Sequence, residues 1–141
     1  MDVHGMLNEI RRATDMGIVG IEAVERKAKQ DTLKDVLWQQ KQEYHEIYNQ
    51  ADCLLQAKGG SRQDLPQTAK ACAKMASGIK LRMQRSDSKI AEMMIEGNTK
   101  GMIKSYQNIR TLDETDSDTL ALSRKLLDTE LHNIEQMKKF L

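Results

Sequence analysis

Apolar residues recur at three- and four-residue intervals along nearly the whole chain, the period at which an α-helix presents one face. Val3, Met6, Leu7, Ile10, Ala13, Gly17, Ile18, Ile21, Val24 and Ala28 predict a first helix from about Val3 to Lys29. It stops at Gln30-Asp31-Thr32, where Thr32 followed by Asp35 has the pattern of a capping box. A second helix follows from about Leu33 to Lys58, with Leu33, Val36, Leu37, Tyr44, Ile47, Tyr48, Ala51, Leu54 and Leu55 on its stripe. Gly59-Gly60-Ser61 ends it and offers a glycine for a left-handed C-cap. Asp64 with Gln67, around Pro66, opens a third helix reaching about Arg85 with a stripe of small residues, Ala69, Cys72, Ala73 and Ala76, and Met83. Ser86-Asp87-Ser88 breaks that helix and caps a fourth, from about Lys89 to Leu112. The acidic turn at 113–118, with Thr115 and Asp118 as capping pair, leads into a fifth helix from Thr119 to the end, with Leu120, Leu127, Leu131, Ile134 and Leu141 on one face.

Helices one, two, four and five are each about 22–27 residues, roughly 33–40 Å long. Short turns join one to two and four to five, so each pair is an antiparallel hairpin. The predicted architecture is an all-α, antiparallel four-helix bundle in one domain, 1–141. It has one hairpin at 3–58, a crossover carrying a helix at 62–86, and a second hairpin at 88–141. Composition agrees: one proline and an abundance of Glu, Lys, Gln, Leu, Ala and Met favour helix, and β-branched and aromatic residues are too scattered for a sheet. Net charge is +1 with 30% charged residues, which implies neither a nucleic-acid footprint nor an acidic tail. Cys53 and Cys72 form no CxxC and no disulfide framework, and read as reduced thiols. The opening residues lack an apolar leader core, and no run approaches the ~20 apolar residues of a membrane span. A cytoplasmic protein is expected.

At about 100° per residue, each polar side chain can be placed against its own stripe. In helix four the stripe is Ala91, Met94, Ile95, Asn98, Met102, Ser105 and Ile109, so Glu96 is outside and Asn98 inside. Thr14, Gln40, Tyr44 and Tyr48 also face inward, Glu25 sits at an edge, and Glu22, His45, Glu46 and His132 lie off their stripes. Glu130 falls within roughly 40° of the centre of the helix-five stripe. In a hairpin turning near 115 it lies level with Asn98. A buried carboxylate must be bonded, paired, protonated or metal-bound. The expected arrangement is a core polar cluster of Glu130 and Asn98, extended by Gln40, Tyr44 or Tyr48; the alternative is a carboxylate metal site using Glu130, Glu25, Glu43 and His45. Gly97, Gly101 and Ser105 follow a small-residue spacing that implies close helix approach or room for a bulky neighbour. Trp38, Cys53, Met93, Ile103 and Phe140 point away from the predicted core, to be covered by helix three or by a second copy in a homo-oligomer.

Two long hairpins joined by an extended crossover resemble the ferritin-like superfamily. The wording IAEMMIEGNTKGMI and LLDTELHNIEQMKKFL is similar to its small uncharacterised bacterial four-helix-bundle members. That resemblance implies two iron or manganese ions held by a Glu on two helices and Glu-x-x-His on the other two. The chain departs from it: Glu43-Tyr44-His45-Glu46 is Glu-x-x-Glu, and Glu130-Leu131-His132-Asn133 is Glu-x-x-Asn. The expectation is therefore a non-catalytic interaction or structural module lacking a complete di-iron site and needing no cofactor. The alternative is a metal-binding or oxidase-type protein with a non-standard carboxylate site. A third reading is anion contact through Lys70, Lys74 and Arg85 of the basic crossover. No aromatic interleaving favours nucleic acid there, and no phosphate loop, dinucleotide fingerprint, nucleophile elbow or HExxH motif is present. An unknown protein partner completes the expectation.

Overall fold

The computed structural model describes residues 1–64, 66, 86–112 and 116–141. Four α-helices are formed by them: α1 (Val3–Val24), α2 (Asp31–Ala57), α3 (Asp87–Thr111) and α4 (Ser117–Lys138). A short 3-10 turn, Glu25–Lys27, finishes α1. The third helix expected from the sequence lies outside the described residues beyond 61–64 and Pro66, and with it Lys70, Lys74, Cys72 and Arg85. Helix four of the sequence reading is therefore α3 here, and helix five is α4.

The helix ends follow from local chemistry, with two corrections. Asp2 caps α1 by accepting from the Gly5 N–H, and Ser86 caps α3 by accepting from the Lys89 N–H. Gly59 takes a positive φ of 72°, and the Gly60 N–H reaches Leu55 O at 2.9 Å while the Gly59 N–H reaches Gln56 O at 3.1 Å. This is a Schellman ending, closed by the glycine that the sequence offered. The Thr32–Asp35 capping box does not form: α2 starts at Asp31, and its N-cap, Gln30, makes no side-chain cap bond. Instead Asp87, buried at the start of α3, accepts from the Lys29 N–H at 2.8 Å and the Gln30 N–H at 2.9 Å. A side chain 57 residues downstream replaces the local cap and ties the first hairpin's turn to the second hairpin. At α4 the capping residue is Asp116, which accepts from the Thr119 N–H at 2.9 Å; Thr115 lies outside the described residues.

α1 packs along α2 and α3 along α4, and the two hairpins meet through α2 against α4 and α1 against α3. The result is a four-helix bundle. Its core is continuous, with Leu7, Ile21, Leu33, Leu37, Ile47, Leu55, Ile90 and Met137 essentially sealed from solvent. Each such side chain contributes roughly 1.5–3 kcal/mol by leaving water, which outweighs the tenths of a kcal/mol by which helix propensities differ.

The phase of α4 differs from the leucine stripe read from the sequence. The buried positions are Thr119, Leu122, Ser123, Leu126, Leu127, Glu130, Asn133 and Met137, followed by Phe140. Leu131 and Leu141 are exposed. The helix is turned by about one residue, and Phe140, expected outside, is a core residue packed with the apolar cluster. Met93 is likewise half-buried against the core, whereas Trp38, Cys53 and Ile103 are exposed.

Candidate functional site

The rotation of α4 puts Glu130 in the middle of the bundle, 3% exposed. Three helices furnish its surroundings. Tyr44 comes from α2, and its ring is buried because Gly17 of α1 leaves room for it: a Cβ at Gly17 would lie 2.7–2.9 Å from the ring carbons. Asn98 comes from α3, where its Nδ2 donates to Met94 O at 2.8 Å one turn earlier. Gly101, one turn further, leaves the volume that the Glu130 carboxyl fills; a Cβ there would lie 2.9 Å from both Cδ and Oε1. One glycine on each hairpin thus shapes the space for this centre. On α3, Gly101 is the glycine that makes room for a neighbouring side chain, whereas nothing lies within 4 Å of a Cβ built at Gly97.

The Tyr44 hydroxyl joins the other two groups, 2.7 Å from Asn98 Oδ1 and 3.0 Å from Glu130 Oε2. Burial pushes the Glu130 carboxyl up to about 7, against a smaller pull downward from the Tyr44 hydroxyl. Burial, then the neighbouring Glu130, raises the Tyr44 phenol well above its ordinary value, so it stays neutral. Asn133, fully buried one turn after Glu130, makes no full hydrogen bond through either side-chain polar atom, but it lies beside the Tyr44 phenol and opposes the rise there.

The other candidates are dispersed. Gln40 is buried but bonds Gln136, through Nε2 to Oε1 at 3.0 Å, away from Glu130. Tyr48 is half-buried and receives a bond from Arg11. Among the metal candidates, Glu25 pairs with Lys41 at 3.2 Å and His45 is exposed. Glu43 is half-buried on the α2–α4 surface, where burial raises its pKa and the nearby His132 opposes the rise. The four do not converge, and no cluster of three His, Cys, Asp or Glu side chains suited to a metal occurs among the described residues. The centre of the bundle presents one carboxyl, one phenol and two amides. Those residues do not fit the carboxylate-and-imidazole set that the ferritin-like resemblance implies.

A second buried polar group, not evident from the sequence, lies on α1. Arg11 on α1 is 2% exposed. It donates to Asn8 Oδ1 at 3.1 Å, Tyr48 Oη at 2.9 Å and Asp64 Oδ1 at 2.6 Å, with its guanidinium 5.1 Å from the Tyr48 ring centre. Burial works against its charge, but the bonds to Asp64 and Tyr48 raise its pKa overall. Asn8, also buried, donates to Ser61 O and accepts from the Gln63 N–H, both at 2.9 Å. Together they strap the chain leaving α2 onto α1. Leu7, Arg11, Thr14 and Ile18 follow the same helical spacing, so periodicity could have flagged Arg11; its charge concealed it.

The open volumes lie on the outside. Two adjoining grooves of about 670 and 630 Å³ run between α2 and α4, sharing Glu46, Ala121 and Lys125. Lys125 spans their junction, donating to Glu46 and Gln50 at 3.0 and 3.3 Å. None of the described helices is long and apolar enough to cross a membrane. The class defined by fold and site is thus a four-helix bundle with a buried carboxyl–phenol–amide centre. Compared with known proteins, the chain matches no family model, no curated protein and no solved structure.

Proposed function

We propose that this chain is a non-catalytic helical-bundle protein of the ferritin-like kind, acting as a structural or interaction module without a complete di-iron site. The observation that carries this reading is the use of the central polar groups on one another: Tyr44 faces both Asn98 and Glu130, inside a core that leaves them no access to a substrate. Buried polar groups bonded to one another specify how helices register against each other more readily than they perform chemistry. The surface supports an interaction role, because Trp38 is 61% exposed on α2, and Ile103 and Tyr106 are about half-exposed one turn apart on α3.

Metal analysis and iron titration of the purified chain test the first part. The expected result is no stoichiometric iron or manganese. One or two equivalents, lost in Glu130→Ala, would replace this reading with a metal-binding one. Sedimentation velocity tests whether the surface residues serve self-association. A dimer that dissociates in Trp38→Ser or Ile103→Ser identifies a second copy as the partner, and a monomer unaffected by either change directs the search to a different protein.

A further inference from the structure

Proton bookkeeping at the Tyr44 hydroxyl reaches beyond that role. Asn98 can be oriented only one way, because Met94 O accepts from its Nδ2 and the opposite orientation would set two carbonyl oxygens against each other. Its Oδ1 therefore faces Tyr44 and can only accept. The phenol has one proton and lies between that oxygen at 2.7 Å and Glu130 Oε2 at 3.0 Å. If Glu130 is ionised, two acceptors compete for one donor in a site closed to water, and one is left facing a lone pair. If Glu130 carries a proton, the chain closes: the carboxylic acid donates to the phenol oxygen, the phenol donates to Asn98 Oδ1, and Asn98 Nδ2 donates to Met94 O.

The neighbours do not rescue the charge. α1 contributes Gly17, behind the Tyr44 ring. α2 contributes Tyr44 itself, with Glu43 acting on the phenol from further out. α3 contributes Asn98 and Gly101, and α4 contributes Asn133, which acts on the phenol and not on Glu130. The titratable groups in this set are a phenol and a carboxyl; no cation acts on Glu130, whose acidity is governed by burial and by Tyr44.

The location gives the proton a consequence. Tyr44 belongs to the first hairpin, and Asn98 and Glu130 to the second. Among the described residues, these are the fully buried side-chain hydrogen bonds that cross between the hairpins. We propose that the folded bundle carries Glu130 as the neutral acid and that loss of its proton to solvent loosens the seam between the two hairpins, making bundle closure responsive to pH. Such a device suits a module whose partner engages the bundle in one protonation state only. It stands on the local geometry and holds whether or not the proposed interaction role does.

Infrared spectroscopy and unfolding of the full chain decide it. At about pH 6 the ordinary carboxylates are ionised. The wild type should still show a protonated-carboxyl C=O band that disappears as pH passes about 7. The band should be absent in Glu130→Gln, which keeps a neutral donor, and present in Glu43→Gln, which removes the other raised carboxyl. From well below pH 4.5 to well above pH 7 the wild-type unfolding constant should rise by about 300-fold in all relative to Glu130→Gln, at close to tenfold per pH unit midway. A wild type without the band overturns the proposal, as does a band that survives Glu130→Gln or an identical pH course in the two proteins. Should Glu130→Gln fail to fold, the wild-type and Glu43→Gln spectra still decide: the band in both sustains the neutral acid, and its absence from either overturns it.

Discussion

Alanine at Gly101 should destabilise the bundle, whereas alanine at Gly97, one turn earlier in the same helix, should stabilise it. Both glycines lie within α3 and neither has a positive φ. Helix propensity therefore favours each change by about 1 kcal/mol. At Gly97 nothing lies within 4 Å of the new Cβ, so that gain stands. At Gly101 the Cβ would come within 2.9 Å of Glu130 Cδ and Oε1 and 3.2 Å of Oε2. The carboxyl ends a flexible side chain, but at 3% exposure it has nowhere to go without parting α3 from α4 or leaving Tyr44. Overfilling a packed core costs about 1–3 kcal/mol, and a buried polar group deprived of its bond costs about 1–3 kcal/mol more. Set against the propensity gain, the net loss is about 3 kcal/mol. Urea unfolding followed by far-UV circular dichroism measures both variants against wild type. With an m-value of about 1–3 kcal/mol/M, the midpoint should rise by roughly half a molar for Gly97→Ala and fall by more than a molar for Gly101→Ala. Stabilisation by both substitutions would show that Gly101 makes no room for Glu130 and would refute the steric argument.

Gly17→Ala drives a Cβ into the rigid Tyr44 ring at 2.7–2.9 Å and should cost about 2–3 kcal/mol by overpacking, read as a lower urea midpoint. Phe140→Ala should cost about 3–5 kcal/mol although the residue lies next to the C-terminus, because the ring is 7% exposed in the core; an unchanged melting temperature would place it outside. Asp116 is held down at about 2, first by Lys58 at 2.8 Å and then by the Thr119 N–H. Its contribution is present above the unfolded value of 3.8 and lost as pH falls toward about 2. Asp116→Asn should therefore lower stability at neutral pH and flatten the acid branch of a melting-temperature profile below pH 4, with little effect on helix capping, since asparagine is also a good N-cap.

Much of the bundle was legible because helices are locally encoded. The stripes of α1 to α3, the glycine ending of α2, the serine cap of α3 and the interior positions of Thr14, Gln40, Tyr44 and Asn98 follow from a 3.6-residue period and short-range capping chemistry. The exterior position of Glu96 follows from the same period. In α4 the period alone was ambiguous. Leucines occupy two adjacent faces, and hydropathy favoured a stripe that ran through Leu131 and Leu141 beside Glu130, over the one that also bears Ser123 and Asn133. The bundle chose the more polar face because Leu122, Leu126, Met137 and Phe140 share it, and because α2 and α3 bring Tyr44 and Asn98 to Glu130.

By itself, then, the sequence determined that this protein is helical, where its main turns fall, and that a carboxyl and an amide on the second hairpin face the core at one level. Tertiary structure decided the rest, because each remaining feature depends on a partner distant in the chain. Asp87 caps the turn after α1 from 57 residues away. Arg11 can be buried because Tyr48, Asn8 and Asp64 receive its donors. Gly17 and Gly101 acquire meaning only from Tyr44 and Glu130 on neighbouring helices. Glu130 itself, turned inward by the helical period, becomes an acid with a pKa of about 7 only once the hairpins close over it and water is excluded.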